Sequence, residues 1–224
     1  MTNTQYRYFD VLVAIFVAVL LISNIASTKI LTLWKFTFDG GTILFPLSYI
    51  FGDILTEVYG FRRSRRVIWL GFFSALLMSL VLYIVQVLPP AADWQNQNAF
   101  EALLGPVPRI VVASLLAYFV GEFSNSITLS ILKIRTKGKF LWIRTIFSTI
   151  IGEGIDTLVF CLVAFYGTLP GEVLWAIIVS NYIFKCSVEI FLTPATYRVV
   201  HFLKRVEKTD VYDIGVKYNP FRIT

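Results

Sequence analysis

Asp53 and Glu57 stand four residues apart, as do Lys185 and Glu189, while Glu153 and Asp156, and Glu122 and Asn125, stand three apart. At these spacings two side chains share one face of a helix. Carboxylates accept hydrogen bonds from amino and ring N–H groups, asparagines both donate and accept, and a buried acid can carry a proton. Such groups suit the binding of a polar, nitrogen-rich solute better than bond-breaking chemistry. An enzyme would need a nucleophile–base pair or a metal constellation. No Ser-His, Cys-His or His-x-x-x-His arrangement occurs, and His201 is the one histidine. No catalytic residue, metal or cofactor is expected.

The elements that must position these groups are apolar. The chain is 57% hydrophobic and 15% charged, with a mean hydropathy of +0.72; a soluble domain would carry roughly 25% charged residues. A spanning helix needs about 20 mostly apolar residues. Six stretches qualify, at 9–29, 42–60, 67–88, 108–132, 142–167 and 173–200. The expectation is an all-α polytopic membrane protein of six transmembrane helices, a single transmembrane domain over residues 1–224 with a short cytoplasmic tail at 201–224. Asp53, Glu57, Glu122, Glu153, Asp156, Lys185 and Glu189 all fall inside these stretches. An ionisable group in hydrocarbon costs several kcal/mol unless it meets a partner or a water-filled cavity, so each marks a candidate site. Cys161 and Cys186 read as small buried hydrophobes.

Lysine and arginine counts set the orientation. Arg62, Arg63, Arg65 and Arg66 follow the second stretch; Lys133, Arg135, Lys137, Lys139 and Arg144 follow the fourth; the tail holds Arg198, Lys204, Arg205, Lys208, Lys217 and Arg222. The other connections hold only Lys29, Lys35 and Arg109. Both termini are therefore expected in the cytoplasm. The net charge of +6 needs no nucleic-acid partner, because these runs are topology signals facing anionic lipid.

Ser23-Asn24 precedes Gly52-Asp53, and Ser124-Asn125 precedes Gly152-Glu153, at offsets of 101 and 100 positions. Three spans in each half would make the copies an inverted 3+3 repeat, an arrangement that places a substrate site near the midplane. Gly52, Gly121, Gly152 and Gly154 flank the acids. They either let helices pack closely or open the helix so that backbone groups reach a ligand. Phe45, Tyr49, Tyr118, Phe119, Phe123 and Tyr182 supply rings for stacking on a flat heterocycle. A planar polar base fits this inventory better than an anion.

These residues carry a resemblance to the queuosine precursor transporter family, formerly described as a vitamin uptake transporter family. The resembling elements are Ser23-Asn24, the stretch from Phe45-Pro46 to Gly60 with Asp53, Glu57 and Tyr59, and the arginine run. They continue with Gly121-Glu122, Asn125, Arg144, Ser148, Gly152-Glu153, Asp156-Thr157, Lys185, Glu189 and Pro194. Together they cover roughly residues 8–200. The resemblance implies import of 7-cyano-7-deazaguanine, 7-aminomethyl-7-deazaguanine or both across the bacterial inner membrane. One carboxylate would accept the adjacent ring N–H and amino donors of the guanine-like edge: Glu153 or Asp156, with Glu122 as competitor. Asn125 and Asn181 would bind the ring carbonyl or pyrrole edge, with Tyr49 and Phe45 beside the ring. Lys185 would donate to the carbonyl or simply pair with Glu189. Asp53, Glu57, Arg144, Glu189 and Asn24 are assigned to gating or helix coupling, with Asn24 lining the entry route or capping a helix break. The alternative is the substrate-binding membrane subunit of an ATPase-energised vitamin or nucleobase importer, since the chain has no Gly-rich nucleotide loop. Membrane lipid is an expected partner, and a homodimer is permitted.

Overall fold

The computed structural model describes residues 6–26, 29–33, 36–104, 108–167 and 170–221. Its elements are α1 (Phe9–Ala26), a hairpin of β1 (Ile30–Leu33) and β2 (Phe36–Asp39), a 3-10 turn (Gly40–Ile43), and α2 (Phe45–Tyr59). There follow α3 (Phe61–Val87), α4 (Gln97–Leu104), α5 (Pro108–Arg135), α6 (Leu141–Phe165) and α7 (Gly171–Glu207). Lys35 and Arg222, counted above for orientation, lie outside the described residues, as does the side chain of Arg109.

Among the described residues five helices are long and apolar enough to cross a bilayer: Phe9–Ala26, Phe61–Val87, Val112–Arg135, Leu141–Val163 and Leu174–Glu207. The stretch expected at 42–60 is the exception. It forms α2, only 15 residues long, because the hairpin and 3-10 turn take up its approach and Gly60 stops it. Pro46 stands in the first turn of α2, where its missing N–H costs nothing. From Ser48 to Tyr59 every residue of α2 except Phe51 is buried, so this helix is wrapped by others rather than by lipid. At about 1.5 Å per residue it covers roughly 22 Å.

Gly60 has φ +84° and ψ 160°, and a Cβ there would lie 2.6 Å from Val211 Cγ1. Only glycine turns the chain this sharply at low cost. The turn uses one residue, so α3 starts at Phe61 and not at 67, and the arginine run is its first turns rather than a loop. Arg62 and Arg66 are exposed, but Arg65 is buried and donates to the carbonyls of Lys217 (3.3 Å) and Asn219 (2.7 Å). Arg63 sits over the Tyr6 ring, 4.7 Å from its centroid.

The expected tail from 201 is corrected in the same way. Helix α7 runs through Pro194 to Glu207, and residues 208–221 form a strap across the bundle end. Asp213, buried, accepts from the Phe61 amide (2.8 Å) and from Ser130 Oγ (2.6 Å). Trp69 Nε1 donates to the Pro220 carbonyl at 2.8 Å. Beneath the strap Trp69, Phe72, Phe119, Phe123 and Phe221 pack edge to face or tilted, with centroids 4.8–6.4 Å apart.

Contacts place the helix ends. The amides of Arg7 and Tyr8 reach Glu207 (3.0 and 2.7 Å). Gly60 lies against the strap, and Lys133, Arg144 and Lys204 all reach Glu57. The start of α1, end of α2, start of α3, end of α5, start of α6 and end of α7 thus meet at one basic end. The hairpin sits at the other, tied by Ser23 Oγ to the Gly41 carbonyl at 3.1 Å.

Candidate functional site

Helices α5 and α6 form the most extensive pair in the bundle, and small residues are the cause. A Cβ on Gly121 would lie 2.4 Å from Tyr49 Oη, 2.7 Å from Asp156 Cβ and 3.1 Å from the Gly152 carbonyl. A Cβ on Gly152 would lie 2.7 Å from Asn125 Cβ and 3.1 Å from the Gly121 carbonyl. Both helices run unbroken through these glycines. Close packing, not helix opening, is therefore their work. Gly154 is different: its nearest neighbour would be Tyr182 at 3.5 Å, an ordinary contact.

The crossing fixes a cavity of about 50 Å³, with room for a few waters, between the start of α2 and helices α5, α6 and α7. Its lining comprises Thr42, Phe45, Ser114, Ala117, Asp156, Thr157, Phe160, Asn181 and Lys185. Lys185 is the hub. Its ammonium lies 2.7 Å from Asp156 Oδ2, 3.0 Å from Glu153 Oε2 and 4.7 Å from the centroid of the Phe45 ring. The expected pair with Glu189 does not form. Lys185 points across to α6, where two carboxylates offset its charge better than the single one on its own helix. Asp156 Oδ1 and Thr157 Oγ1 are buried beside the cavity and accept no hydrogen bond.

The expected binding residues therefore divide. Asp156, Asn181, Lys185 and Phe45 line the cavity. Glu153 stands behind it on Lys185. Tyr49 is fully buried at the glycine crossing, its hydroxyl 3.5 Å from the Gly152 carbonyl. Asn125 lies off the cavity lining and donates from Nδ2 to Asp53 Oδ1 at 2.7 Å, its own Oδ1 accepting no hydrogen bond. Glu122 and Glu189 are buried off the cavity lining, and neither carboxylate oxygen of Glu122 accepts a hydrogen bond. Phe119 and Phe123 belong to the packing under the strap, and Tyr118 approaches the Ile68 carbonyl at 3.5 Å. Asn24 donates to the Leu20 carbonyl of its own helix (2.8 Å) and accepts from Ser114 Oγ (3.2 Å), tying α1 to the cavity rim.

A second constellation closes the basic end. Glu57 is fully buried and takes both guanidinium nitrogens of Arg144, with Nη2 to Oε1 at 3.1 Å. It also takes Lys204 at 2.6 Å, and Lys133 lies 3.6 Å away. Asp210 in the strap bridges the two lysines at 2.5 and 2.9 Å. Burial pushes the Asp210 carboxyl up, but hydrogen bonds from Lys133 and Lys204 outweigh it and hold it below its ordinary value. Of the residues assigned to gating or helix coupling, Arg144 and Glu57 meet each other. Lys133 and Lys204 were read only as topology charges. Nothing in a basic run distinguishes the lysine that turns inward, so spacing alone would not have found them.

Carboxylates, hydroxyls and one lysine facing a cavity inside a lipid-embedded helix bundle can hold a polar solute and release it, which is the working of a multi-pass membrane transporter. Residues 39–199 match the family described as "Putative vitamin uptake transporter", and the chain belongs to that family. It is a transporter rather than an enzyme. A "Probable queuosine precursor transporter" of Bacillus subtilis (strain 168) is 29% identical over 188 residues, covering 84% of this chain and 82% of that protein. The "Queuosine precursor transporter" of Escherichia coli (strain K12) is 27% identical over 177 residues, covering 76% and 77%. A Haemophilus influenzae protein, also named "Probable queuosine precursor transporter", is 29% identical over 163 residues, covering 71% and 67%. No solved structure matches the chain.

Proposed function

We propose that the protein imports a queuosine precursor, 7-cyano-7-deazaguanine or 7-aminomethyl-7-deazaguanine, across the bacterial inner membrane. The observation that carries this reading is the pair of unpartnered acceptors, Asp156 Oδ1 and Thr157 Oγ1, beside a cavity that also holds Lys185, Asn181 and two phenyl rings. A guanine-like edge offers a ring N–H and an amino group to one carboxylate, and its carbonyl takes a donor. Asp156 accepts the edge, Lys185 or Asn181 donates to the carbonyl, and Phe45 stacks on the ring. Glu153 stays behind to keep Lys185 charged when Asp156 turns to the base.

Six crossings with both termini in the cytoplasm complete the proposal, α2 being the short sixth. Two observations support it: helix ends alternate between the hairpin and the basic end, and exposed Arg62 and Arg66 stand at the basic end, suited to anionic lipid. The 3+3 repeat is supported by its two Gly-acid steps, which abut α5 at neighbouring turns. Gly52 lies against Glu122, and Gly152 against Asn125. In this topology the Glu57 cluster shuts the cytoplasmic side, and the cavity lies toward the opposite face.

Uptake of radiolabelled 7-cyano-7-deazaguanine into proteoliposomes holding only this protein is the test. Saturable uptake, absent from empty liposomes, is expected. Binding without uptake would assign the chain to a subunit energised by a separate ATPase; loss of both would overturn the substrate.

A further inference from the structure

The transport mechanism proposed above makes no use of Glu122. It is fully buried, and neither carboxylate oxygen accepts a hydrogen bond. Its carboxyl occupies the notch left by the missing side chain of Gly52: a Cβ there would lie 1.9 Å from Glu122 Oε1. The groups that face it are Asp53 from α2, and Glu153 and Asp156 from α6. Glu189 on α7 and the hydroxyls of Tyr49 and Tyr118 face the same interior. Every one of these is an acid or a phenol. Among the described residues the interior cations are committed elsewhere, Lys185 to Glu153 and Asp156, Arg144, Lys133 and Lys204 to Glu57, and Arg65 to the Lys217 and Asn219 carbonyls.

An ionised carboxylate in that position would lack a donor, lack a counter-ion and face other carboxylates. Desolvation alone costs such a group several kcal/mol, and the neighbouring like charges add to it. A proton removes all three penalties. We propose that Glu122 is the proton-binding residue of this transporter, carrying one proton inward with each base. Asp53 is less suited because Asn125 already donates to it. Glu189 is less suited because the Thr149 hydroxyl stands beside it as a donor, which Glu122 lacks.

Position supplies the coupling. Glu122 follows Gly121, which packs on Asp156, the residue that meets the base. It also presses on α2, whose first residue, Phe45, lines the cavity and whose Glu57 holds the basic end shut. A base that moves Phe45 or Asp156 shifts the surroundings of Glu122. Separation of α2 from α5 would admit water to its carboxyl and release the proton. Since 7-cyano-7-deazaguanine is neutral, the pair carries one net positive charge.

The inference rests on the transport function proposed above, and one experiment separates their failures. Proteoliposomes of the unaltered protein and of Glu122→Gln receive an imposed inward proton gradient, or a potassium diffusion potential, in sodium-free buffer. The unaltered protein is expected to accumulate labelled base under either force, with proton entry followed by an internal pH dye. Glu122→Gln is expected to keep counterflow exchange within about twofold and to lose gradient-driven accumulation at least tenfold. Accumulation by Glu122→Gln equal to that of the unaltered protein would overturn the proposal. So would uptake by the unaltered protein that ignores the proton gradient or needs sodium. If the unaltered protein neither binds nor exchanges the base, the transport assignment itself falls. Dye-detected proton entry with the unaltered protein stands independently of how well the variant folds.

Discussion

Arg144 and Glu57 form a two-pronged ion pair in the interior, both guanidinium nitrogens of α6 meeting both carboxylate oxygens of α2. Planar fork-to-fork pairing fixes orientation as well as charge. Lys204 and Lys133 approach the same carboxylate, so four helices are tied to one residue.

Removing that carboxylate strands buried cations. Glu57→Gln is expected to destabilise the protein by about 3–5 kcal/mol, the usual cost of breaking a buried pair from one side. Thermal unfolding in detergent checks it. The charge swap Glu57→Arg with Arg144→Glu is expected not to rescue stability, because Lys204 and Lys133 would then face a new cation.

Lys185 is tied to α6 and not to its own helix. A double-mutant cycle on Lys185→Met and Asp156→Asn is expected to give a coupling of at least about 1 kcal/mol. The same cycle with Glu189→Gln is expected to be additive within roughly 0.5 kcal/mol. Equal couplings would restore the i, i+4 pair.

Gly121 on α5 and Gly152 on α6 should respond to alanine differently from Gly154 on α6. Gly121→Ala and Gly152→Ala press a methyl onto backbone and Cβ atoms and are expected to cost about 1–3 kcal/mol as overpacking. Gly154→Ala meets only ordinary contact and is expected to be neutral or to gain up to about 1 kcal/mol from helix propensity. Melting temperatures of the three variants decide it.

The strap should loosen in acid. The Asp210 carboxyl is held below its ordinary value by Lys133 and Lys204. Its contribution is therefore present above the ordinary carboxylate value and lost as pH falls through the depressed one. Amide exchange in residues 208–221 is expected to rise over that acidic window. Asp213→Ala, which strips acceptors from the Phe61 amide and Ser130, is expected to raise it at neutral pH.

The long spans were legible because their apolar runs are unbroken, and the acids stood out because such runs tolerate few. Element boundaries were less so. Arg62 to Arg66 look like a loop by composition, and only the backbone of Gly60 shows that they continue α3. The hairpin at 30–39 is short and carries no compelling turn signal. Partner choice was the hardest to read. Spacing puts Lys185 beside Glu189 along one helix, but the glycine crossing of α5 and α6 brings Asp156 and Glu153 nearer. Lys133 and Lys204 sit in basic runs whose composition is the same whether a side chain turns to lipid or to Glu57.

The central claim is that Asp156 reads the donor edge of a deazaguanine inside the bundle. Equilibrium binding of 7-cyano-7-deazaguanine to the detergent-solubilised protein and to Asp156→Asn, by titration calorimetry, tests it most directly. An asparagine keeps the shape but offers one acceptor and a clashing donor. The account predicts saturable one-to-one binding by the unaltered protein and an affinity at least about tenfold weaker in the variant, equivalent to about 1.4 kcal/mol. Equal affinity in a variant that melts normally would contradict it.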